Sequence, residues 1–474
     1  MTTKRNLMIF ALGALAIASC DPVPSFDKDV IDATDIGAEL RAAKPGFILG
    51  AATSHHQIEG GLTNDWTVFE QGTNDEGEPN IKNGDDSSVA ADSWNRWPED
   101  IASLETLGAN GYRLGISWSR LQPTPGSWDQ AAADRYRDMF DALNARGIRP
   151  MVTIYHFTLP LWVSDEGGWE WDGAPAAFED FAQRAGAAFG DQIDYWVTLN
   201  EPNVLAIQAY SFGSWAPGVK DDMERATNVY AGQLRGHALA SVALRANDTV
   251  DADGDGKATQ IGIAHHVRLP QPASSYALDT ALSAATNDYI NDVVPRAITT
   301  GRLFLEVPGT ITIDEDIPAL KDSCDWMGIN YYERTYIRAD LSVSTLSTQY
   351  QPEGAEVTDL GWEVSPESLY HLLMRMDRYG LPLYITENGL ADDDDDQRPS
   401  YLRAHLYAVL RAIQDGADVR GYLHWALIDN FEWAEGYEGL FGLFSIDFGG
   451  DLARVPRQAS VDAFTDITGP LNAE

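Results

Sequence analysis

The sequence predicts an α/β fold in which eight parallel strands and their helices close into a single (β/α)8 TIM barrel. Eight short runs rich in Val, Ile, Tyr and Trp recur along the 474 residues, and they mostly lack the polar alternation of a half-exposed sheet. Helix-like segments lie between them, and several runs are followed by long connections. Because barrels of this class run long as one domain, we expect one barrel with long loops over its C-terminal face.

The eight predicted strands share an apolar character that is typical of strands covered on both faces. They are Phe47–Ala52, Tyr112–Trp118, Arg149–Tyr155, Tyr195–Leu199, Gln260–His265, Trp326–Asn330, Leu383–Ile385 and Gly421–Trp425. Between them lie segments with helical patterns, each followed by a Gly that favours a helix end. The clearest predicted helices are Asp100–Leu107, Asp134–Asn144, Ala176–Phe189 and Tyr401–Ile413. This alternation indicates parallel strands joined by right-handed crossovers.

The first residues have the features of an export signal. Lys4 and Arg5 precede the apolar stretch Leu7–Ile17, which is too short to span a bilayer comfortably. The residues that follow end in Cys20 and resemble a bacterial lipobox, in which the cysteine is acylated. An ordinary signal peptide cut near the same place is the alternative.

The lipobox interpretation divides the chain into three parts. These are a lipoprotein-type signal peptide at 1–19, a tether at 20–43 and the catalytic barrel at 44–474. We expect an exported protein on the periplasmic side or in the cell envelope, lipid-anchored through Cys20. With 72 acidic and 33 basic residues the net charge is -39, which disfavours binding to nucleic acid or anionic lipid. Membrane contact is therefore expected only through the anchor.

Two glutamates follow predicted strands at the ends where active sites of such barrels lie. Glu201 follows the fourth strand and Glu387 the seventh, each beside an asparagine. Hydrolysis of a glycosidic bond needs such a pair, because one carboxyl must hold a proton while the other attacks the anomeric carbon. Arg113 and Tyr332 can donate to Glu387 and favour its ionised form. The alternative is that each glutamate forms a structural ion pair.

The ordered motifs resemble those of glycoside hydrolase family 1, the β-glucosidase and β-galactosidase family, from Phe47 to about Arg457. TLNEP around Glu201 and ITENG around Glu387 are similar to its acid/base and nucleophile motifs, and FILGAATSHHQIEG, YRLGISWSR, GINYY and DNFEW follow in its order. The resemblance implies a retaining exo-β-glycosidase with Glu201 as general acid/base and Glu387 as nucleophile. Its substrates would be terminal non-reducing β-D-glucosyl, or related galactosyl or fucosyl, residues of small-molecule or oligosaccharide β-glycosides.

The same resemblance implies roles for further residues and no catalytic cofactor. The catalytic pair would be supported by Arg113, Asn330 and Tyr332. The sugar would be bound by Gln57, His156, Asn200, Trp425, Glu432 and Trp433. Taken singly, Gln57 and His156 would be interpreted as satisfied core polar groups and Trp425 and Trp433 as core aromatics, but together and in motif order they favour the sugar site. A non-hydrolytic sugar-binding lipoprotein on the same scaffold is the alternative function, although both glutamates are present.

Four departures from the family pattern, at Phe157, Asn203, Trp215 and Leu440, concern substrate recognition. Phe157 stands where the family usually has Trp, which removes an indole N–H donor. Asn203 follows the NEP motif where a bulky residue is common, which predicts a more polar leaving-group subsite.

An acidic loop before the fifth strand resembles the start of a calcium site. Asp251, Asp253 and Asp255 occupy its positions 1, 3 and 5, and Gly256 occupies position 6. Position 12 is Gly262, so the strongest ligand of such a loop is missing. The sequence leaves a structural calcium site and a solvated acidic turn as alternatives.

Overall fold

The structure, a computed structural model, describes residues 25–340, 342 and 347–473. Eight parallel strands pair in chain order, and the last pairs with the first to close the barrel. The strands β1 to β8 are Ile48–Ala52, Gly111–Gly115, Arg149–Thr153, Tyr195–Asn200, Gln260–His266, Met327–Asn330, Leu383–Asn388 and Val419–Trp425. The predicted barrel is confirmed and each predicted strand is present, although the second and third end earlier than predicted, at Gly115 and Thr153.

An outer layer of helices covers the barrel. The helices that follow β1 to β8 are Ser93–Thr106, Gln130–Asn144, Ala174–Phe189, Met223–Asn247, Val293–Thr300, Pro366–Asp377, Arg398–Gln414 and Gln458–Leu471. The four clearest predicted helices are present, and each begins earlier than expected. Capping explains one such start, because the Asp129 side chain accepts the backbone N–H of Ala132 and fixes the first turn.

Long connections after the strands build the mouth of the barrel, as predicted. The short α-helices in the connections are His55–Ile58, Asp65–Phe69, Trp118–Leu121, Leu161–Ser164, Pro202–Ile207 and Ala277–Asn287. Short strands outside the barrel form three small sheets, which comprise Leu269–Pro272 with Arg334–Ala339 and Ser347–Tyr350, Arg302–Val307 with Ile311–Asp316, and Phe444–Ile446 with Arg454–Pro456. The three-stranded sheet follows β5 and β6.

Apolar side chains fill the barrel beneath the mouth, as is usual for this architecture. Ile48, Met151 and Leu423 are buried in this inner cluster. β5 contributes Gly262, where a Cβ would lie 2.6 Å from the ring of Trp326. A larger residue there would displace the indole, so glycine lets the ring pack against β5. The packed floor leaves the mouth as the place for polar chemistry.

Two helices precede β1, at Lys28–Ala33 and Ile36–Ala43, inside the predicted tether. Leu40 is fully buried, and a Cβ on Gly37 would collide with the carbonyl oxygen of Ile467 in the last helix. The tether prediction is therefore wrong for these helices, because their apolar side chains pack against the barrel's outer layer.

The predicted signal peptide at 1–19 and the predicted lipidation site Cys20 lie outside the described residues. Within the part of the chain that the structure describes, no helix combines the length and apolar character needed to cross a membrane.

Candidate active site

Two glutamates stand at the C-terminal ends of β4 and β7, at the same mouth of the barrel. Glu201 directly follows Asn200, the last residue of β4, and Glu387 is the penultimate residue of β7. Both are nearly buried, with 6% of Glu201 and 3% of Glu387 exposed. Burial raises the pKa of Glu387, and the charge of Glu201 raises it further. The structure therefore places the two predicted glutamates near enough to each other for their charges to interact.

Three residues of the mouth have left-handed backbone conformations although none is glycine. The φ angles are 70° at Phe157, 43° at Glu201 and 49° at Trp433. Each such residue costs roughly 1–3 kcal/mol and persists only where its surroundings fix it. At Glu201, the backbone N–H donates to Ala264 O over 2.8 Å, which fixes the turn from β4 into the helix that follows.

Glu387 is held by two donors that favour its ionised form. The guanidinium of Arg113 in β2 forms an ion pair with its Oε1, and the Tyr332 hydroxyl donates to its Oε2 over 2.6 Å. Arg113 is fully buried, and its Nε donates to Thr153 Oγ1 over 3.0 Å. The pKa of Glu387 is raised to about 7, because the effect of burial exceeds the opposing effects of Arg113 and Tyr332.

Glu201 has a different setting, because its closest polar contacts are neutral. Asn330 donates from Nδ2 to Oε1 of Glu201 over 2.9 Å, and Nδ1 of His266 lies 3.4 Å from the same oxygen. Burial raises the pKa of Glu201 to about 7, and the hydrogen bond from Asn330 opposes that shift. Burial, followed by the charge of Arg268, lowers the pKa of His266 to about 3, so its ring is neutral.

The contacts of the two carboxyl groups decide which one is ionised first. Because the groups interact, protons leave the pair in two steps. The Arg113 cation and the Tyr332 hydroxyl stabilise negative charge on Glu387. The first proton therefore leaves Glu387, and the remaining proton stays on Glu201. Over an interval of pH the site then holds one carboxylate and one carboxylic acid.

Asn200 connects the two glutamates through side-chain hydrogen bonds. Its Oδ1 accepts from Arg113 Nη2 over 2.7 Å and from Asn330 Nδ2 over 3.0 Å. Its Nδ2 lies 3.0 Å from Nε2 of His156 and donates to it, which places the ring proton on Nδ1 of His156. That Nδ1 is buried and has no partner among the described residues. Thr386 fixes Asn330 by donating to its Oδ1 over 2.6 Å.

A second polar group lies at the ends of β1 and β8. Gln57 donates from Nε2 to Glu432 Oε2 over 3.1 Å and to Asn430 Oδ1 over 2.9 Å. Burial, and after it the charge of Glu387, raise the pKa of Glu432 to about 8, while the hydrogen bond from Gln57 opposes the shift. The charges of Glu387 and Glu201 therefore act on Glu432.

Aromatic rings line the mouth between these polar groups. The ring of His156 stacks with Trp425 and Trp433 at centroid distances of 6.0 and 5.9 Å. Phe157 packs 4.8 Å from Trp215 and 5.2 Å from Trp433. The predicted sugar-binding residues are thus joined by hydrogen bonds or ring contacts around one mouth.

The profile of glycosyl hydrolase family 1 matches residues 41–469. The chain belongs to glycosyl hydrolase family 1. The "1,4-beta-D-glucan glucohydrolase" of Thermotoga neapolitana is 36% identical over 428 residues, which cover 85% of this chain and 97% of that protein. "Beta-glucosidase A" of Thermotoga maritima is 35% identical over 428 residues, which cover 85% of this chain and 93% of that protein.

Solved structures of family 1 enzymes share the fold. The beta-glucosidase from Thermotoga maritima in complex with glucoimidazole superposes with a TM-score of 0.82 at 31% sequence identity, over 91% of this chain and 100% of that chain. The family resemblance predicted from the motifs is confirmed. The protein is a glycosyl hydrolase of family 1 on a (β/α)8 barrel.

Several residues of this family 1 site were not predicted from the sequence. His266 contacts Glu201, Thr386 orders Asn330, and Asn430 accepts from Gln57. A signal existed for His266, because it ends β5 as a polar residue, in the same way that Asn200 ends β4. Asn430 lies within the DNFEW motif, which was a signal for it, whereas Thr386 carried no comparable signal.

The acidic loop before β5 gathers a different set of residues than predicted. Carboxylate oxygens of Asp194, Asp251 and Asp253 lie within 4.8 Å of one another, so the group could hold a cation. Asp255 does not belong to it, and its Oδ2 instead accepts from Gln260 Nε2 over 2.9 Å. The prediction was therefore wrong for Asp255 and lacked Asp194, which lies far away in sequence.

These carboxylates already have partners within the protein. Asp251 accepts the backbone N–H groups of Gly254 and Gly256 over 2.8 and 2.9 Å. Asp253 forms a 2.9 Å ion pair with Arg149 in β3. The loop is thus organised by hydrogen bonds and one ion pair of its own.

Proposed function

We propose that this family 1 protein is a retaining exo-β-glycosidase that hydrolyses terminal non-reducing β-D-glucosyl, or related galactosyl or fucosyl, residues. One observation carries the proposal. Glu387 lies between a cation and a phenol, whereas Glu201 lies beside neutral groups. An ionised nucleophile and a protonated acid are what the first step of retaining glycoside hydrolysis requires.

In the first step, a carboxylate oxygen of Glu387 bonds to the anomeric carbon of the sugar. The bond from that carbon to the leaving oxygen breaks, and Glu201 gives its proton to the leaving oxygen. The product is a covalent glycosyl-enzyme. Arg113 and Tyr332 hold the attacking carboxylate in place, which reduces the loss of entropy at the transition state.

In the second step, Glu201 acts as a base. A water molecule gives its proton to Glu201 and bonds to the anomeric carbon, which releases Glu387 as a carboxylate. The closest polar contacts of Glu201 are neutral side chains, which allows its charge to change between the steps. The mechanism needs no catalytic cofactor.

The polar residues around the mouth are proposed to bind the glycone. Gln57 and Glu432 lie together and would bind hydroxyls far from the anomeric carbon, whereas Asn200 lies between the two catalytic residues. The buried Nδ1–H of His156 would find its acceptor in a sugar hydroxyl. Trp425 and Trp433 offer apolar faces to the ring. A glucosyl preference is supported by the relatives named glucosidase or glucan glucohydrolase.

A non-hydrolytic sugar-binding protein on this scaffold is the alternative. It is disfavoured because both glutamates and the donors around them are present. A decayed hydrolase would be expected to have lost one of them first.

Hydrolysis of nitrophenyl β-glycosides by the wild type, Glu387→Ala and Glu201→Ala tests the proposal. Turnover should collapse in both variants, and azide should rescue Glu387→Ala to give a glycosyl azide of inverted configuration. The anomer first released by the wild type, followed by NMR, should retain its configuration. Release of the inverted anomer, or absence of turnover by folded protein, would refute the proposal.

We also propose that the chain is exported and anchored through an acylated Cys20. The support is the sequence alone: a basic start, the apolar stretch Leu7–Ile17 and a lipobox-like ending. Cys20→Ser should release the protein from the membrane fraction of the producing cell. Unchanged membrane association of that variant would contradict the anchor.

A further inference from the structure

We infer that His266, Arg268 and Glu333 form a polar subsite for a sugar leaving group, so that β-linked disaccharides and oligosaccharides are the preferred substrates over glycosides of apolar alcohols. These three residues are called the β5–β6 cluster. The inference rests on the proposed function, because it assigns Glu201 as the proton donor to the leaving oxygen.

The position of the cluster follows from the order of the barrel strands. The residues proposed to bind the glycone end or follow strands β1, β3, β4 and β8, and they share one side of the mouth. The cluster lies beyond Glu201 on the other side, at the ends of β5 and β6. His266 Nδ1 lies 3.4 Å from Glu201 Oε1. A group that takes the Glu201 proton while the glycone is held on the first side therefore faces the cluster.

His266 has hydrogen-bonding capacity that the described residues do not use. Its 3.4 Å approach to Glu201 is longer than a good hydrogen bond, and its Nε2 is buried without a partner. The neutral ring offers one donor and one acceptor. A hydroxyl matches either role, because it can donate and accept, whereas an apolar leaving group satisfies neither.

Arg268 and Glu333 add a rigid pair of charges beside His266. Their side chains are 20% and 7% exposed and form a 3.0 Å ion pair, and Arg268 Nε is buried without a partner. The backbone of Arg268 is fixed by Asn291, which accepts its N–H over 3.0 Å and donates to its carbonyl over 2.6 Å. A guanidinium and a carboxylate held together present both donors and acceptors, which the hydroxyl groups of a sugar can pair with.

Asn203 contributes to this subsite indirectly. Its side chain is 1% exposed, and its Nδ2 donates to the carbonyl oxygens of His266 over 3.0 Å and Ile290 over 3.3 Å. Asn203 was expected to make the subsite polar itself. Its amide instead fixes the end of β5, and the polarity comes from the cluster.

The cluster discriminates through the cost of leaving polar groups unpaired. An apolar leaving group would displace water from Arg268 and Glu333 and offer these residues no hydrogen bonds in exchange. A site built to bind hydroxyls rejects an analogue that lacks them more strongly than an apolar pocket rejects an extra methylene. Loss of one cluster residue should therefore affect disaccharides more than aryl glycosides.

The test compares kcat/KM for cellobiose, laminaribiose and gentiobiose with kcat/KM for p-nitrophenyl β-D-glucoside. In Arg268→Gln, the best disaccharide should lose at least about tenfold more than the nitrophenyl glucoside, as expected for a hydrogen bond to a charged group. Arg334→Gln is the matched control, because Arg334 pairs with Glu363 at similar exposures of 22% and 6%. In the control, the ratio of kcat/KM for the disaccharide to kcat/KM for the nitrophenyl glucoside should stay within about twofold of the wild-type ratio.

Each outcome decides the inference. A selective loss in Arg268→Gln supports it, and Glu333→Gln replaces that variant if circular dichroism shows misfolding. Equal losses on both substrates overturn the inference and leave the proposed function intact. If the wild type hydrolyses the nitrophenyl glucoside but none of the three disaccharides, the inference is likewise overturned and the proposed function stands. Absence of turnover on every substrate refutes the proposed function, and the inference falls with it.

Discussion

The hydroxyl of Tyr332 lies 2.6 Å from Oε2 of Glu387, on the opposite carboxylate oxygen from the one that Arg113 contacts. Both oxygens of the proposed nucleophile are thus held by donors. A hydrogen bond to an ionised carboxylate lowers its pKa and is stronger than one between neutral groups. The phenol therefore contributes to keeping Glu387 ionised while it is buried.

Replacing Tyr332 by Phe should remove this stabilisation. We expect kcat/KM for a nitrophenyl β-glycoside to fall about 10- to 100-fold, which corresponds to about 1.5–3 kcal/mol for a hydrogen bond to a charged group. The pKa of Glu387 should rise, and because the first step needs the ionised form, the acidic limb of the kcat/KM profile should move to higher pH.

Tyr331→Phe is the control for this prediction. The hydroxyl of Tyr331 is also buried, but it donates to Ser365 O over 2.7 Å, away from the glutamates. The acidic limb of the kcat/KM profile of Tyr331→Phe should stay in place. An acidic limb that does not move in Tyr332→Phe would contradict the role assigned to the phenol.

Leu40→Ala tests whether the helices before β1 belong to the folded domain. Leu40 is fully buried, so its truncation should lower the free energy of unfolding by about 2–5 kcal/mol. Val30 lies in the preceding helix and is 48% exposed, so Val30→Ala should change the free energy of unfolding by less than about 0.5 kcal/mol. Denaturant unfolding of both variants measures the difference. Equal, small effects would show that the segment is dispensable.

The barrel could be predicted because its signals are local. Apolar runs and helical spacing mark each strand and helix, and the polar residue after a strand marks the mouth. Glu201 and Glu387 were found in this way. The helices before β1 were not predicted. Their few apolar residues are buried only by contact with a distant part of the chain around Ile467, more than 400 residues further on.

The details of the site depend on side-chain geometry, which a strand pattern does not contain. Thr386 directly precedes Glu387 in β7. Its position in the strand does not reveal that its hydroxyl donates to Asn330 over 2.6 Å. Asp194 joins the acidic loop although β4 and the helices Pro202–Ile207 and Met223–Asn247 separate it from Asp251 in the chain. Spacing rules cannot find such pairs, because the residues meet only after the barrel closes.

The acidic loop should be stable without a metal. Its carboxylates accept backbone N–H groups, and Arg149 neutralises part of their charge. We expect the melting temperature to change by less than about 1 °C on addition of a chelator or of millimolar calcium. Arg149→Gln is informative, since loss of the cation should make calcium more stabilising. A clear rise of the wild-type melting temperature with calcium would instead establish a structural site.

Glu201→Gln should separate the two proposed roles of this residue. The amide cannot donate an acidic proton, so kcat/KM for cellobiose should fall by about 10²- to 10⁴-fold. A dinitrophenyl leaving group needs little protonation, and kcat/KM for its β-glucoside should fall much less. The alkaline limb of the kcat/KM profile reports the Glu201 proton, because burial raises the pKa of Glu201 to about 7. That limb should disappear in the variant, since glutamine does not titrate.

Glu387→Gln is the comparison that gives this result its meaning. It removes the nucleophile, so both substrates should lose activity to a similar extent. In Glu201→Gln the second step lacks its base, and azide should raise kcat for the dinitrophenyl substrate because azide needs no deprotonation before it attacks. Equal losses on cellobiose and the dinitrophenyl glucoside in Glu201→Gln, or an alkaline limb that persists, would exclude Glu201 as the acid and require another group to supply the proton.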